Sequence, residues 1–293
     1  SRRVEISHLH LHHPRGHEVS VLINGTLHPV SGLTIVPPAS HGGPAWAKLD
    51  PGDYRMRTTT WVRQVMLHST KGQHPQYVRA GSGPGGADKV VADFWRGDPT
   101  HSAAQIVVDT DGSVVCLCDL ATVGAWHAEG SGPWSVGIEM YQLSDGGIYD
   151  ATFIATVLLV QALCRLFQIP EQMPDRYHGE PLWRMEQGAW PLRHNLGGPN
   201  CVGVFGHRNN TGNRGRGDPG DEIGKRLTDV GFEALDFEHD EDLEIGKQRQ
   251  LALNAIDARA GNTTRPLVAD GVCGPASMAA MRRLGFERWR DVA

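Results

Sequence analysis

The chain is 293 residues long, and 40% of its residues are hydrophobic and 21% are charged. This length and apolar content allow one substantial core with a smaller module, and they exclude a disordered chain. The formal net charge of -5 argues against nucleic acid as a partner, because polyanion binding requires a basic surface. The five cysteines include no Cys-x-x-Cys pair, so we expect neither a disulfide framework nor a zinc knuckle.

The first part of the chain is rich in short strand patterns. Residues 18–30 alternate between apolar and polar side chains, and the pair Asn24-Gly25 within them favours a tight hairpin. A stretch rich in Pro and Gly follows at 36–54 and separates this part from the rest. We therefore predict a β-rich N-terminal segment at 1–54, whose role the sequence does not indicate.

Strand and helix patterns alternate between about 55 and 235. The predicted strands lie at 62–68, 104–119, 134–142 and 201–207, and the predicted helices lie at 86–97 and 151–167. The pair Asp111-Gly112 marks a hairpin turn within the second strand region. This alternation predicts an α/β domain at 55–235, with a mixed central β-sheet flanked by helices.

The helix pattern at 151–167 is the most apolar in the chain. It contains Gln161 and Arg165 and is short for crossing a bilayer, so we predict a buried helix and no membrane span. Asp150 precedes it as a candidate N-cap, and Pro170 lies just past its end.

The last part of the chain, at 236–293, begins with an acidic run. Further on, a stretch that reads "DGVCGP" favours a turn leading into a helix that starts at Pro275, because proline is tolerated at the first helical position. We predict a small C-terminal helical domain here.

Two histidines each end an apolar strand pattern. His68 closes "WVRQVMLH" and His207 closes "CVGVFGH", so two imidazoles could meet at one edge of a sheet. Asp218, in an Asp-Pro-Gly turn, would add a carboxylate oxygen. Two nitrogens and one oxygen suit a catalytic zinc ion, which keeps a fourth position open for water. With 15 histidines in the chain, the alternative is that these residues serve the core or the surface.

Glu139 is a candidate general base. In "WSVGIEMYQ" the alternation places Val136, Ile138 and Met140 on one face, and Glu139 faces the other side in the middle of an apolar strand. A carboxylate within hydrogen-bond reach of the attacking water could accept its proton. The alternative is a strand glutamate that faces solvent.

Four stretches resemble one known family in their order and spacing. "TWVRQVMLHST", "SAAQIVVDTDGSVVCLCDLATVGAWHAEG", "WSVGIEMYQ" and "FGHRNNTGNRGRGDPG" are similar to motifs of the zinc-dependent N-acetylmuramoyl-L-alanine amidases, a family that includes the peptidoglycan recognition proteins. The resemblance covers about 55–235. It implies that His68, His207 and Asp218 bind Zn²⁺, and an acidic third ligand is typical of members that cleave.

The same resemblance implies further roles. Glu139 matches the catalytic glutamate, and Arg216 stands where the family often has lysine, so its charge would stabilise the oxyanion. His127 matches a histidine that lines the substrate groove, and we expect Trp126 to contact substrate beside it.

A long insertion at about 172–200 could form one wall of the same groove. Its Trp183 and Trp190 are candidates for substrate contact, or they simply pack the insertion onto the sheet. The chain departs from the family at "SAAQ", where many relatives read "SAHY". Any contribution of that position to the activity is therefore absent. The C-terminal part resembles small three-helix peptidoglycan-binding domains, and the alternative is a structural cap.

These observations predict zinc-dependent hydrolysis of the amide between N-acetylmuramic acid and L-alanine, with peptidoglycan or a muropeptide as substrate. The alternatives are a non-catalytic peptidoglycan-binding protein of the same fold, or a metal hydrolase acting on another amide or peptide bond. The sequence shown has no signal peptide at its start. We expect action on the cell wall by a periplasmic, secreted or delivered protein. A delivered effector would also have a cognate immunity or delivery partner.

Overall fold

The computed structural model describes residues 20–57, 62–70, 95, 102–128, 131–142, 147–177, 180–181, 202–209, 218–239, 243–261, 266–267, 272–273, 275–286 and 292. These ranges contain fourteen strands and four α-helices. The strands are β1 (Ser20–Ile23), β2 (Thr26–Pro29), β3 (Ile35–Val36), β4 (Tyr54–Met56), β5 (Gln64–Ser69), β6 (Ile106–Val108), β7 (Val114–Cys116), β8 (Val123–Ala125), β9 (Ser135–Met140), β10 (Gln172–Tyr177), β11 (Glu180–Pro181), β12 (Gly203–Gly206), β13 (Glu233–His239) and β14 (Val272–Cys273). The helices are α1 (Asp150–Phe167), α2 (Asp221–Asp229), α3 (Leu243–Arg259) and α4 (Pro275–Arg283).

The main sheet has six strands in the order β12-β5-β9-β6-β7-β3. Strands β12, β5, β9 and β6 run parallel, and β7 returns antiparallel to β6 through the predicted turn at Asp111-Gly112. A second sheet has the order β11-β10-β13-β14. The predicted α/β fold with a mixed central sheet flanked by helices is confirmed.

The two faces of the central strands differ in character. Side chains such as Val65, Leu67, Val136 and Ile138 are fully buried and join α1 in the largest hydrophobic cluster. Since successive strand residues point to opposite faces, His68 and Glu139 lie on the other face, as the alternation in the sequence predicts for Glu139. Both faces are buried, and the candidate site residues lie on the face opposite to α1.

Helix α1 begins one residue earlier than predicted. Its N-cap is Tyr149 and Asp150 is already helical, so the prediction of Asp150 as N-cap is wrong. The Asp150 carboxylate instead accepts a hydrogen bond from the Arg226 guanidinium at 2.8 Å. By length and composition α1 could cross a membrane, but ten of its side chains are buried in the protein. It is a core helix, as predicted.

The N-terminal part contributes one strand to the main sheet, and the C-terminal part contributes one strand to the second sheet. The predicted hairpin joins β1 to β2, with Asn24 and Gly25 both at positive φ, of 50° and 72°. Strand β3 forms an edge of the main sheet, and β4 pairs with β8. Strand β14 pairs with β13, and α4 begins at Pro275 as predicted. The predicted helix at 86–97 lies outside the described residues apart from Trp95. The domain boundaries stay predictions.

Gln105 links β6 to the start of β9 from a fully buried position. Its Oε1 accepts a hydrogen bond from the backbone N–H of Gly137 at 2.6 Å, and its Nε2 donates to the carbonyl of Ser135 at 3.2 Å. A Cβ added at Gly137 would lie 3.1 Å from Oε1, so the short contact depends on glycine. The amide of Gln105 therefore supplies hydrogen bonds that the β-ladder leaves open.

We expect Gln105→Ala to lower the free energy of unfolding by about 1–3 kcal/mol, because the buried Gly137 N–H loses its acceptor. Urea denaturation measures this change. Gln248→Ala, at an exposed position of α3, is the control and should leave the stability unchanged. Equal stabilities of the two variants would contradict the bridging role of Gln105.

Candidate metal centre

Three adjacent strands bring the candidate residues to one edge of the main sheet. In the parallel pairing of β5 with β9, His68 lies directly opposite Glu139. Strand β12 runs parallel to β5 on its other side, and His207 follows directly after it in a 3-10 turn. The carboxyl ends of the three strands therefore place His207, His68 and Glu139 in one row. The sequence prediction that two strands ending in histidine meet at one edge is confirmed.

Asp218 is distant in sequence from His68, and backbone groups hold it beside both histidines. Its Oδ1 accepts a hydrogen bond from the N–H of Ser69 at 3.0 Å. Its carbonyl accepts a hydrogen bond from the N–H of Arg208 at 2.8 Å. Each donor belongs to the residue that directly follows a histidine of the cluster, so the same strand ends position all three side chains.

The donor atoms of His68, His207 and Asp218 have the spacing of a metal site. The Nδ1 atoms of the two histidines are 3.0 Å apart, and Asp218 Oδ2 lies 3.0 Å from His207 Nδ1. All three donor atoms lie within 4.8 Å of one another, and the three residues are buried. Zinc bonds to nitrogen and oxygen of about 2.0–2.2 Å in tetrahedral geometry put ligand atoms a little over 3 Å apart. The residues therefore fit a zinc ion.

The electrostatics of the cluster suit metal binding, which requires deprotonated ligands. Burial acts to raise the pKa of Asp218, but the hydrogen bond and charge of His207, with smaller contributions from His68 and Ser69, outweigh it and lower that pKa. Asp218 is thus held as a carboxylate. The pKa of the neighbouring His127 is lowered to about 3 by burial, by His207 and by Arg57, so its imidazole is neutral.

The other predicted site residues differ in what surrounds them. Glu139 is half-buried. His127 is buried against His68, with 3.1 Å between His127 Nδ1 and His68 Nε2. Trp126 is half-buried, and the Arg55 guanidinium lies 4.2 Å from the centroid of its ring. Arg216, Trp183 and Trp190 lie outside the described residues, so their roles stay predictions.

Arg208 is a residue of the site that the sequence did not suggest. It is 1% exposed, and its Nη1 donates a hydrogen bond to the carbonyl of Pro219 at 3.2 Å. Nearby, Oε1 of Gln142 accepts a hydrogen bond from the N–H of Gly220 at 3.0 Å. These contacts hold the turn that carries Asp218. The sequence shows only that Arg208 directly follows a histidine at the end of an apolar strand, and no local pattern links this arginine to Pro219.

Comparison with known proteins identifies the family. Residues 57–221, more than half of the chain, match the family described as N-acetylmuramoyl-L-alanine amidase. The chain belongs to this family. It is therefore an enzyme of the class that hydrolyses the amide between N-acetylmuramic acid and L-alanine in peptidoglycan. This confirms the predicted amidase activity and the enzyme class, and the dependence on zinc stays a prediction.

Solved structures of similar fold are distant from this chain. The N-acetylmuramoyl-L-alanine amidase LysC from Clostridium intestinale is 11% identical, with a TM-score of 0.38, over 67% of this chain and 97% of that one. A mutant endolysin from Bacillus subtilis is 17% identical, with a TM-score of 0.38, over 68% and 99%. The complex of tracheal cytotoxin with peptidoglycan recognition proteins LCa and LCx is 18% identical, with a TM-score of 0.40, over 69% of this chain and 99% of that one. These similarities add nothing to the family assignment. No curated protein matches the chain.

We expect Arg208→Met to weaken metal binding about tenfold, because the turn carrying Asp218 loses a hydrogen bond that holds it. Residues that orient a metal ligand typically contribute about 10–100-fold to metal affinity, and this estimate is at the lower end of that range. Competition with a chromogenic chelator measures the affinity. Arg226→Met is the control, since its guanidinium contacts Asp150 and the Phe153 ring at 3.9 Å, away from the cluster. Equal metal affinities of both variants would contradict the anchoring role.

Proposed function

We propose that the chain is a zinc-dependent amidase in which His68, His207 and Asp218 hold the metal and Glu139 transfers protons. The observation that carries this proposal is the buried cluster of three donor atoms within 4.8 Å of one another, at the strand ends beside Glu139. In a chain of the amidase family, that cluster has the ligand types and the spacing that a catalytic zinc site needs.

Each of the three proposed ligands would offer one atom to the metal. His68 and His207 would each offer Nδ1 to the metal, and Asp218 would offer Oδ2, while its Oδ1 accepts a hydrogen bond from the N–H of Ser69. Zinc in such a site supplies Lewis-acid polarisation of the scissile carbonyl and a lowered pKa of the attacking water. Burial of the three side chains strengthens their electrostatic interactions, because the local dielectric is low.

In this proposal Glu139 acts as general base and then as general acid. It lies on the strand next to His68, in register with it, and neighbouring strands are about 4.7–4.9 Å apart. Its carboxylate accepts a proton from the attacking water and passes it to the alanine nitrogen as the C–N bond breaks. The products are a free lactyl carboxylic acid and a free amino terminus on L-alanine.

We further propose that Arg216 stabilises the negative charge that develops on the carbonyl oxygen. It precedes Asp218 by two residues in the sequence, and an arginine keeps its charge throughout the reaction. Trp126 and His127 would contact the substrate beside the metal, and Trp183 and Trp190 would contact it from the insertion.

The proposed place of action is the cell wall, reached in the periplasm, by secretion or by delivery into a target cell. A delivered enzyme would have a cognate immunity or delivery protein. Co-expression with genes adjacent to its own, followed by co-purification, tests for such a partner.

We expect Glu139→Gln to lower amidase activity at least about 100-fold, because general acid and base catalysis contributes roughly 10²–10⁴-fold. Release of peptide from purified sacculi measures the activity, and metal analysis should find zinc bound as in the unchanged protein. Glu222→Gln on the exposed face of α2 is the matched control and should keep full activity. Full activity of the Glu139 variant would refute the proton-transfer role.

Mass spectrometry of digested peptidoglycan identifies the bond that is cut. We expect new amino termini on L-alanine and intact glycan strands. After treatment with a chelator the new amino termini should no longer form, the glycan should stay intact, and adding zinc should restore their formation. Cut glycan or cut cross-bridges would support a hydrolase of another class. Binding to sacculi without any new amino terminus would support a non-catalytic protein of the same fold.

A further inference from the structure

His127 uses both of its ring nitrogens inside the protein. Its Nδ1 lies 3.1 Å from Nε2 of His68, and its Nε2 lies 3.3 Å from Oγ of Ser135. The two imidazole rings meet edge to face, with centroids 5.0 Å apart and an interplanar angle of 83°. The side chain is 7% exposed. His127 therefore sits behind His68, on the side opposite to the nitrogen that faces His207 and Asp218.

The protons of this chain of contacts can be assigned from its far end. The Ser135 hydroxyl donates to the carbonyl of Ser131 at 2.8 Å, so its oxygen accepts from the Nε2–H of His127. In a neutral imidazole one nitrogen donates and the other accepts. His127 Nδ1 is then the acceptor for the Nε2–H of His68. Nδ1 of His68 keeps its lone pair, which points toward the other two metal ligands.

A second hydroxyl near His127 leaves this assignment in place. Oγ of Ser131 lies 3.5 Å from His127 Nδ1 and 3.4 Å from the His127 carbonyl. Its contact with Oγ of Ser135, at 3.2 Å, is shorter than either of these. The 3.1 Å contact with His68 is the shorter one at Nδ1.

Nearby residues hold the His127 ring in this position. A Cβ at Gly137 would lie 3.0 Å from Cδ2 of His127, so glycine allows the ring to lie directly over β9. The Arg57 guanidinium donates hydrogen bonds to the carbonyls of Gly132 and Ser135 and so fixes the segment that carries the Ser135 hydroxyl.

We propose that His127 is a positioning residue that fixes the tautomer and ring orientation of His68, so that His68 presents Nδ1 to the metal. This inference rests on the proposed zinc site and adds a role for His127 besides the substrate contact predicted from the sequence. Partners that orient a histidine ligand typically contribute about 10–100-fold to metal affinity. The role can therefore be measured by zinc binding, independently of catalysis.

NMR of the zinc-loaded full-length protein tests the assignment directly. Long-range proton–nitrogen spectra distinguish the two ring nitrogens of each histidine, and His68→Gln identifies the signals of His68. We expect a metal-bound Nδ1 and a protonated Nε2 on His68. A metal-bound Nε2 would overturn the proposal. If the unchanged protein binds no zinc at all, the proposed zinc site fails instead, and that outcome is separate.

Three variants test the energetic consequence. We expect His127→Leu, which cannot accept a hydrogen bond, to bind zinc about 10–100-fold more weakly, and His127→Gln, whose amide oxygen can accept from His68, to recover most of the affinity. Thr156→Val removes a buried hydroxyl from α1, away from the site, and controls for general destabilisation. Chelator competition gives the affinities, and the cobalt-substituted visible spectrum reports ligand geometry.

Two outcomes would overturn the positioning role. One is unchanged zinc affinity and cobalt spectrum in His127→Leu, with only KM raised, which indicates substrate contact alone. The other is equal loss of affinity in the Leu and Gln variants. If His127→Leu does not fold, Ser135→Ala replaces it, with an expected loss of about threefold to tenfold because the partner of His127 Nε2–H is removed. Unchanged affinity in that variant would also count against the proposal.

Discussion

The register between β5 and its two parallel neighbours is the constraint on which the site depends. It places His68 opposite Glu139 on one side and brings His207 alongside on the other. A shift of one residue would turn either side chain to the opposite face, where it would enter the hydrophobic cluster with α1. The register is fixed by the fully buried side chains of that face, such as Leu67 and Ile138. The apolar face thus determines the geometry of the polar one.

Burial of the side chains of His68, His207 and Asp218, the three proposed ligands, requires the layer of hydrogen bonds around them. A buried polar group without a partner is strongly unfavourable, and here Ser69 holds Asp218 and His127 contacts His68. Arg208 extends the same layer to the turn at Pro219. Contacts that the fold needs for its own stability are therefore also the contacts that orient the ligands, so one set of residues serves both purposes.

Local patterns predicted what depends on local structure. Apolar runs located β5 and β12, and alternation located β9. The Asn24-Gly25 and Asp111-Gly112 pairs located two hairpins, and strand ends singled out His68 and His207. The N-cap prediction failed at Asp150 because a carboxylate before a helix and one in its first turn look alike in sequence, and here Arg226 is its partner. The pairing of β10 with β13, and the roles of Gln105 and Arg208, join distant residues. Periodicity carries no signal for them.

The C-terminal helices meet the central sheet at the end opposite to the site. Val62 and Val202, which precede β5 and β12, line one cavity together with Ala280 and Arg283 of α4. The proposed ligands His68 and His207 lie at the other ends of the same strands, and a six-residue strand spans about 20 Å at 3.3 Å per residue. Within the described residues, α4 therefore lies about one strand length from the proposed metal site, and the packing of the strands is a path by which it can influence that site.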